Sequence, residues 1–335
     1  MKKKNPSVEF YGFFEAYQKG NTMLDKEQIR ALLEKLLPKI TLEELVIMFI
    51  NRFDAYLQYI RLGNGEHTGT DISLLFNPHR LLTHVKEARK ETLFEALSQP
   101  YMAQALARTI PLQGIANRRG FKSFIEMNVN GVVLPQEFPP YAMRKLLLEY
   151  KMNRDCAILD PCAGWGGRML GASVVCDSYT AYEPSTKTYK GLKKLGVFIQ
   201  EATPTFKFKV HNIPFEEAVL PKGFYDIAIT SPPYYDTEEY SEESTNSFNK
   251  FETFEEWCEG FYLPLIKKTM RALKPTGVFI LNIGNRKYPL TDTMMNAFEK
   301  VYHIRAIGNR VGGSDGLSKK AGKGEMFFEI KHRLK

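Results

Sequence analysis

The sequence predicts an α/β fold, a mostly parallel sheet with helices on both faces, preceded by a mainly helical region. Three observations carry this. From about residue 138 onward the runs "CAILD", "YTAYE", "FKFKVH", "YDIAIT" and "GVFILNIG" alternate with helical segments, the pattern of strands joined by crossover helices. Before about residue 112, apolar residues recur at helical spacing instead,. Glycines cluster directly after the first of the runs, where such sheets place their ligands. The expected division is a helical domain over residues 1–125 and an α/β domain over residues 126–335.

In the first region, "DKEQIRALLEKLLPKI" sets Ile29, Leu32, Leu33, Leu36 and Leu37 at helical spacing, with Asp25 placed to cap its start,. "TLEELVIMFINRFDAYLQYI" opens with Thr41 and Glu44 as a capping box,. The glycines of "RLGNGEHTGTD" break the pattern, and more helix is expected between Pro78 and Arg108. In the second region the clearest helix is "TFEEWCEGFYLPLIKKTMRALK", with a capping box of Thr253 and Glu256 and a stop at Lys274-Pro275-Thr276-Gly277,. "HIRAI" and "MFFEI" complete the set and are expected to form an antiparallel hairpin at the sheet edge,.

Composition sets bounds. Hydrophobic residues make up 44% of 335 and charged residues 25%, enough for a real core. No apolar run approaches the roughly 18 residues a membrane span needs, and the start lacks the uninterrupted apolar core of a secretory signal. Cys156, Cys162, Cys176 and Cys258 form no CxxC pair and have no His at zinc spacing, so no metal and a reducing cytoplasm are the expectations. The net charge of +8 permits a polyanionic partner without requiring one.

The turn "ILDPCAGWGGRMLGA" brings an acid before its glycines: Asp160, Pro161, Cys162, then Gly164 and Gly166. Glycines let a backbone approach a ligand closely, and the helix that follows favours negative charge. A nicotinamide fingerprint would need a third glycine where Met169 stands,. A carboxylate at the first turn discourages a pyrophosphate and can pair with an ammonium group. Glu183 closes the next strand, near the ~20-residue offset at which an acid holds ribose hydroxyls,. A ribose and a cationic centre together fit S-adenosylmethionine better than NAD. The turn resembles the first motif of S-adenosylmethionine-dependent methyltransferases, which implies a Rossmann-like seven-stranded sheet. Glu183 resembles that family's ribose-binding acid, and Asn212 in "HNIPFEE" lies where the family contacts adenine. "EFPPYAMRKLLLEY" resembles the extra helix of amino-methyltransferases, which adds Phe138 and Pro139 to the expected cofactor site.

One strand later, "YDIAIT" runs into Ser231-Pro232-Pro233-Tyr234. An amine conjugated to a ring is a poor nucleophile. A hydroxyl at Ser231 and the carbonyl of Pro232 can hold its hydrogens and favour tetrahedral nitrogen, so catalysis rests on positioning. The prolines stiffen the loop, and Tyr234 offers a face to an extruded base. The tetrapeptide resembles the [DNS]PPY motif of enzymes that methylate exocyclic amines of bases. With its flanks, the region from about 138 to 335 resembles DNA N4-cytosine and N6-adenine methyltransferases. The resemblance implies duplex DNA as partner, with the target base flipped out. Ser231 leans toward cytosine N4. A cytosine-C5 enzyme would need Cys where Pro233 stands.

The expected nucleic-acid contacts are Tyr235 and Tyr240 beside the motif, Arg118, Arg119 and Lys122 before the second domain, and Arg310, Lys319, Lys320 and Lys323 in the last loop. Against them stands an acidic stretch after the motif, with Asp236, Glu238, Glu239, Glu242, Glu243, Glu252, Glu255 and Glu256, since carboxylates beside phosphates cost affinity. Either that loop folds away as a lid, or it meets bases instead of phosphates, or the substrate is not duplex DNA. An RNA base methyltransferase and a non-catalytic subunit of a paired enzyme remain open alternatives.

Overall fold

A computed structural model describes residues 26–43, 70–85, 91–113, 137–240, 242–310, 317–318 and 326–333. The chain forms two compact units, one of residues 1–53 and 78–136, the other of residues 54–77 and 137–335. In the first unit the helix Lys26–Leu36 buries Ile29, Leu33 and Leu36 on one stripe and packs against the helix Pro100–Gln113. Thr92 and Glu95 form a reciprocal capping box at Leu93–Ala96,. The caps expected at Asp25 and Glu44 lie outside the described residues.

The second unit is the Rossmann-like α/β domain. Its elements in chain order are α1 (Thr70–Phe76), α2 (Pro140–Glu149), β1 (Ala157–Asp160), α3 (Gly167–Ser173), β2 (Ser178–Tyr182) and α4 (Thr186–Ala202). Then come β3 (Lys207–His211), β4 (Tyr225–Thr230), α5 (Leu263–Ala272), β5 (Leu273–Ile283), α6 (Leu290–Phe298), β6 (Tyr302–Arg310) and β7 (Met326–His332). The sheet order is β3-β2-β1-β4-β5-β7-β6, and the two-residue strand Leu317–Ser318 extends the edge beyond β6. Strands β1 to β5 run parallel. β7 is antiparallel to both neighbours.

Alternation along the strands feeds two cores. Ile158, Ile227, Ile229, Val278, Ile280 and Phe327 face α2, α3 and α4, and Ile72 of α1 joins them. Leu159, Ala228, Phe279, Leu281, Phe328 and Ile330 face α5 and α6. A parallel sheet covered on both faces needs such continuous apolar runs. The final hairpin is antiparallel as expected, but β7 sits inside it, between β5 and β6. Its apolar residues on both faces suit an interior position better than an edge.

The long helix expected from Thr253 is interrupted. The capping box of Thr253 and Glu256 is present at Phe254–Trp257, but a π-helical turn at Cys258–Tyr262 precedes α5. Pro264 stands in the first turn of α5 and has no N–H to continue the ladder, and a wider turn absorbs that defect. β5 then begins at Leu273, earlier than the expected stop. Close packing of α2 on α3 rests on two glycines: a Cβ at Gly167 would lie 2.2 Å from the Phe138 carbonyl oxygen, and one at Gly171 would lie 2.2 Å from that of Pro140.

Candidate active site at the carboxyl ends of β1 and β4

The turn after β1 is built around a buried charge. Asp160 closes the strand at 0% exposure. Its Oδ2 accepts from Arg168 Nε at 2.7 Å and from Tyr179 Oη at 2.5 Å. Its Oδ1 accepts from Thr230 Oγ1 at 3.0 Å and from the Cys162 N–H at 3.3 Å. Four donors saturate a carboxylate with about four lone-pair sites. The expected pairing of Asp160 with a ligand ammonium is therefore corrected: the group is consumed inside the protein. Arg168, itself buried, also donates to the Cys162 carbonyl and lies 5.4 Å from the Phe138 ring centre. Phe138 in turn meets Phe327 edge-on at 5.7 Å, so it is a core wall, while Pro139 caps the start of α2.

Gly164 and Gly166 adopt φ of +55° and +99°, a region glycine enters without strain. At Gly164 an added Cβ would meet only the Arg168 guanidinium, at 4.0 Å. The backbone there has open space in the direction a side chain would take. The Gly164 N–H donates at 3.1 Å to Glu183, at the end of β2, whose other oxygen accepts from the Ser185 N–H at 2.9 Å. Burial outweighs those two N–H groups and pushes the Glu183 carboxyl up to about 8,. Asn212, just past β3, donates both amide hydrogens, to the carbonyls of Glu183 at 3.0 Å and Pro184 at 2.9 Å. Gly164, Glu183 and Asn212 thus follow one rim of the sheet across β1, β2 and β3. Pro161 is buried and Cys162 half-buried in the same turn.

Thr230, the last residue of β4, ties this rim to the proline loop. Its hydroxyl donates to Asp160 and accepts from the Cys162 N–H at 3.1 Å. Ser231, Pro233 and Tyr234 follow half-buried, with Pro232 buried. The Arg286 guanidinium sits 5.7 Å from the Tyr234 ring centre. Tyr235 is corrected from nucleic-acid contact to anchor: at φ +54° it turns into the core. Its hydroxyl donates to the Glu252 carbonyl at 2.6 Å, and its ring packs among Phe248, Phe254, Trp257 and Tyr288. Asp236 accepts from Lys287 at 2.8 Å and Tyr288 at 2.7 Å. The proline loop is clamped on both sides.

The acidic stretch folds back over the rim. Tyr240 lies 5.9 Å from Trp165 of the glycine turn, which places it on the glycine-turn side of the loop. Glu243 accepts from the Thr186 N–H at 3.0 Å and its hydroxyl at 2.7 Å. Thr245 donates to the Pro184 carbonyl at 3.3 Å. Lys250 pairs with Glu216 at 3.0 Å and Glu217 at 2.6 Å. Of the two fates expected for this loop, the contacts match a lid.

Arg118, Arg119, Lys122, Lys319, Lys320 and Lys323 lie outside the described residues, and Arg310 ends β6. All four cysteines are free. Burial, then the Asp160 charge, pushes the Cys162 thiol well above its ordinary range, the opposite of an activated nucleophile. No cluster able to hold a metal ion exists among the described residues, and no helix among them is long and apolar enough to cross a membrane.

Sequence reading missed Arg168, Tyr179, Thr230, Glu243 and Arg286. Thr230 was the most accessible, as a hydroxyl at a buried strand end directly before the motif. Tyr179 had no local signal, since its role depends on β1 and β2 lying side by side.

Known proteins match part of this chain. Some solved structures resemble it distantly. A tRNA methyltransferase from Aquifex aeolicus is 13% identical over 60% of this chain and 71% of its own, with a TM-score of 0.39. A SAM-dependent O-methyltransferase from Thermotoga maritima is 14% identical over 60% and 68%, with a TM-score of 0.40. An rRNA methylase from Streptococcus thermophilus is 10% identical over 60% and 99%, with a TM-score of 0.38. No curated protein matches the chain. A family model does, from the first residue of β4 through the proline loop and the lid to the last loop: residues 225–320 match the model of a family described as DNA methylase.

Proposed function

We propose that this protein is a DNA methyltransferase that moves a methyl group from S-adenosylmethionine to the exocyclic amine of a base turned out of the duplex, at cytosine N4 or adenine N6. The observation that carries the reading is the tie through Thr230, which fixes Ser231–Tyr234 beside the glycine turn by way of Asp160 and Cys162. A cofactor rim and an amine-binding loop on adjacent strands are what direct methyl transfer needs.

The residues present fit the cofactor. Gly164 leaves its backbone open, Glu183 keeps lone pairs beside its two N–H donors, and Asn212 presents an acceptor oxygen. When bound, S-adenosylmethionine supplies a methyl group on a positively charged sulfur. Glu183 holds the ribose hydroxyls and Asn212 the adenine amine. Asp160 and Arg168 shape the turn from behind. Ser231 Oγ and the Pro232 carbonyl accept the two hydrogens of the target amine and turn its lone pair toward the methyl. The bound cofactor would supply the methyl group, and the amine held by Ser231 Oγ and the Pro232 carbonyl would lose one proton to water on receiving it. Tyr234 supports the flat face of the base, and Arg286 covers that ring from outside.

The test is incubation of the full chain with methyl-labelled S-adenosylmethionine and, separately, unmodified duplex DNA and total RNA, followed by digestion and mass spectrometry of nucleosides. Label in N4-methylcytosine or N6-methyladenine from DNA is expected. Label confined to RNA would overturn the DNA substrate, and label in neither would overturn base methylation.

A further inference from the structure

Asn77 reaches the glycine turn from far upstream of residues 138–335, where the sequence resembles methyltransferases. It follows α1 directly, and Pro78 after it favours a break from helical backbone,. The side chain is fully buried, and its Nδ2 donates to the Trp165 carbonyl at 3.0 Å. A carbonyl only accepts, so the amide nitrogen must be the atom that faces it. The Asn77 oxygen then lies on the other branch, where it is sealed and has no donor among the described residues. Gly191 of α4 makes room for it, since a Cβ there would stand 2.1 Å from that oxygen. A sealed acceptor without a donor works against stability. What this amide supplies is its hold on one peptide, Trp165–Gly166.

That peptide has little else to fix it. Gly166 stands at φ +99°, but glycine enters both signs of φ about as readily. Close packing of Gly166 against Leu192 and Leu195 holds its Cα and not the plane of the peptide before it. Rotation about ψ of Trp165 and φ of Gly166 could turn that plane over with small shifts of its neighbours. The anchor at the other end is firm: Ile72 of α1 lies in the core beneath the sheet, Ser73 donates to Glu137, and Phe76 meets Phe198 of α4 at 5.4 Å.

We infer that Asn77 is a positioning residue: it holds the Trp165–Gly166 peptide in one orientation, and with it the backbone from Gly164 to Gly166 that the turn offers to the cofactor. The inference rests on the cofactor reading proposed above and goes beyond it. It makes a residue outside the resembling region necessary to the site, acting through the turn and touching no ligand itself.

The experiment is calorimetry with S-adenosylhomocysteine on the full chain, at a temperature where circular dichroism shows each variant folded. Nitrogen-15 spectra of glycine-labelled protein accompany it. Asn77→Leu keeps the branched shape and removes the donor. It is expected to weaken binding about tenfold, the order of one hydrogen bond. It should also move the Gly166 amide signal, while that of Gly223, which has open space around it, stays in place. Gly191→Ala keeps the amide but presses on its oxygen, and is expected to weaken binding and move the same signal. A merely structural contact would lower the unfolding temperature and leave the affinity of the folded protein unchanged. Folded Asn77→Leu that binds as the wild type does, or whose Gly166 signal stays where it was, would overturn this inference alone. Should Asn77→Leu fail to fold, Gly191→Ala decides by the same two readouts. A wild type that does not bind S-adenosylhomocysteine would overturn the cofactor reading, and this inference with it.

Discussion

Replacing Asp160 by Asn separates two roles for the acid at the head of the glycine turn. The amide keeps the shape and can keep the bonds from Thr230 and the Cys162 N–H on its oxygen. Its –NH2 would then face Arg168 Nε and Tyr179 Oη, where Oδ2 now accepts at 2.7 and 2.5 Å. Tyr179 can adapt by accepting from the amide. Arg168 cannot, because a guanidinium only donates, and at 5% exposure water does not reach it freely. Removing one partner of a buried pair costs about 3–5 kcal/mol, or roughly 6–20 °C of Tm for a unit of this size. Arg168→Met alone should cost a similar amount by stranding the carboxylate. The double variant Asp160→Asn/Arg168→Met should cost less than the sum by about 2 kcal/mol or more, since an apolar replacement of the whole pair is tolerated. Urea unfolding followed by circular dichroism measures all three, and calorimetry with S-adenosylhomocysteine follows the cofactor. If Asp160→Asn stayed within about 0.5 kcal/mol of wild type while losing cofactor affinity tenfold, the saturated carboxylate argued here would be wrong and the ammonium pairing right.

Four further outcomes are expected. Glu183 is held up to about 8 by burial, so in the unliganded fold its contribution to stability is full below its ordinary value near 4.5 and is lost as pH rises through about 8. Cofactor binding, which uses the ionised form, should tighten by up to about 30-fold from pH 6.5 to 9, and Glu183→Gln should flatten that profile in calorimetry. Tyr234→Ala should weaken duplex binding by roughly 1–3 kcal/mol in a fluorescence titration and leave S-adenosylhomocysteine affinity unchanged. Ser231→Ala/Tyr234→Ala should abolish label transfer. Gly171→Ala should cost about 1–3 kcal/mol by overpacking, because its Cβ would lie 2.2 Å from a backbone oxygen of α2, and thermal unfolding would show it.

The strands, the glycine turn and the proline loop were legible because each has a local cause. β-branched runs, positive-φ glycines and paired prolines constrain the backbone where they stand. Glu183 could be placed because it ends a strand at a characteristic offset from the glycine turn, and Asn212 because the resemblance puts an adenine contact in its segment. The failures share a different cause. Asp160 reads as a ligand in the sequence because its four donors come from residues 162, 168, 179 and 230, and only the order β2-β1-β4 brings them together. Tyr235 was read as a base contact because an aromatic after a motif gives no sign of which way it turns. Its positive φ, rare for a bulky residue, is what sends the ring inward. The interior place of β7 was missed because a hairpin gives the pairing of its own strands and not which of them a third strand meets.

The acidity of the lid, which counted against a polyanionic substrate, has a different meaning once its partners are known. Asp236 is held by Lys287 and Tyr288, Glu243 by Thr186, and Glu256 closes its own helix cap. Those carboxylates are committed within the domain and do not stand bare before a phosphate. Glu239 and Glu242 do remain exposed, and they follow the segment toward the cofactor rim, where Tyr240 meets Trp165. The opposite flank of Tyr234 carries Arg286, while the charge of Lys287 is matched by Asp236. Charge is therefore divided across the proline loop, negative toward the cofactor and positive toward the β5–α6 connection. On the DNA reading proposed above, a phosphate backbone approaching Tyr234 would be repelled on one side and attracted on the other, which would fix its direction of approach. Replacing Arg286 by Gln should accordingly lower duplex affinity and make the salt dependence of binding shallower by about one unit of log–log slope, the signature of one lost phosphate contact. An unchanged slope would place the backbone elsewhere and remove the electrostatic half of this argument, while leaving the geometry of the amine site intact.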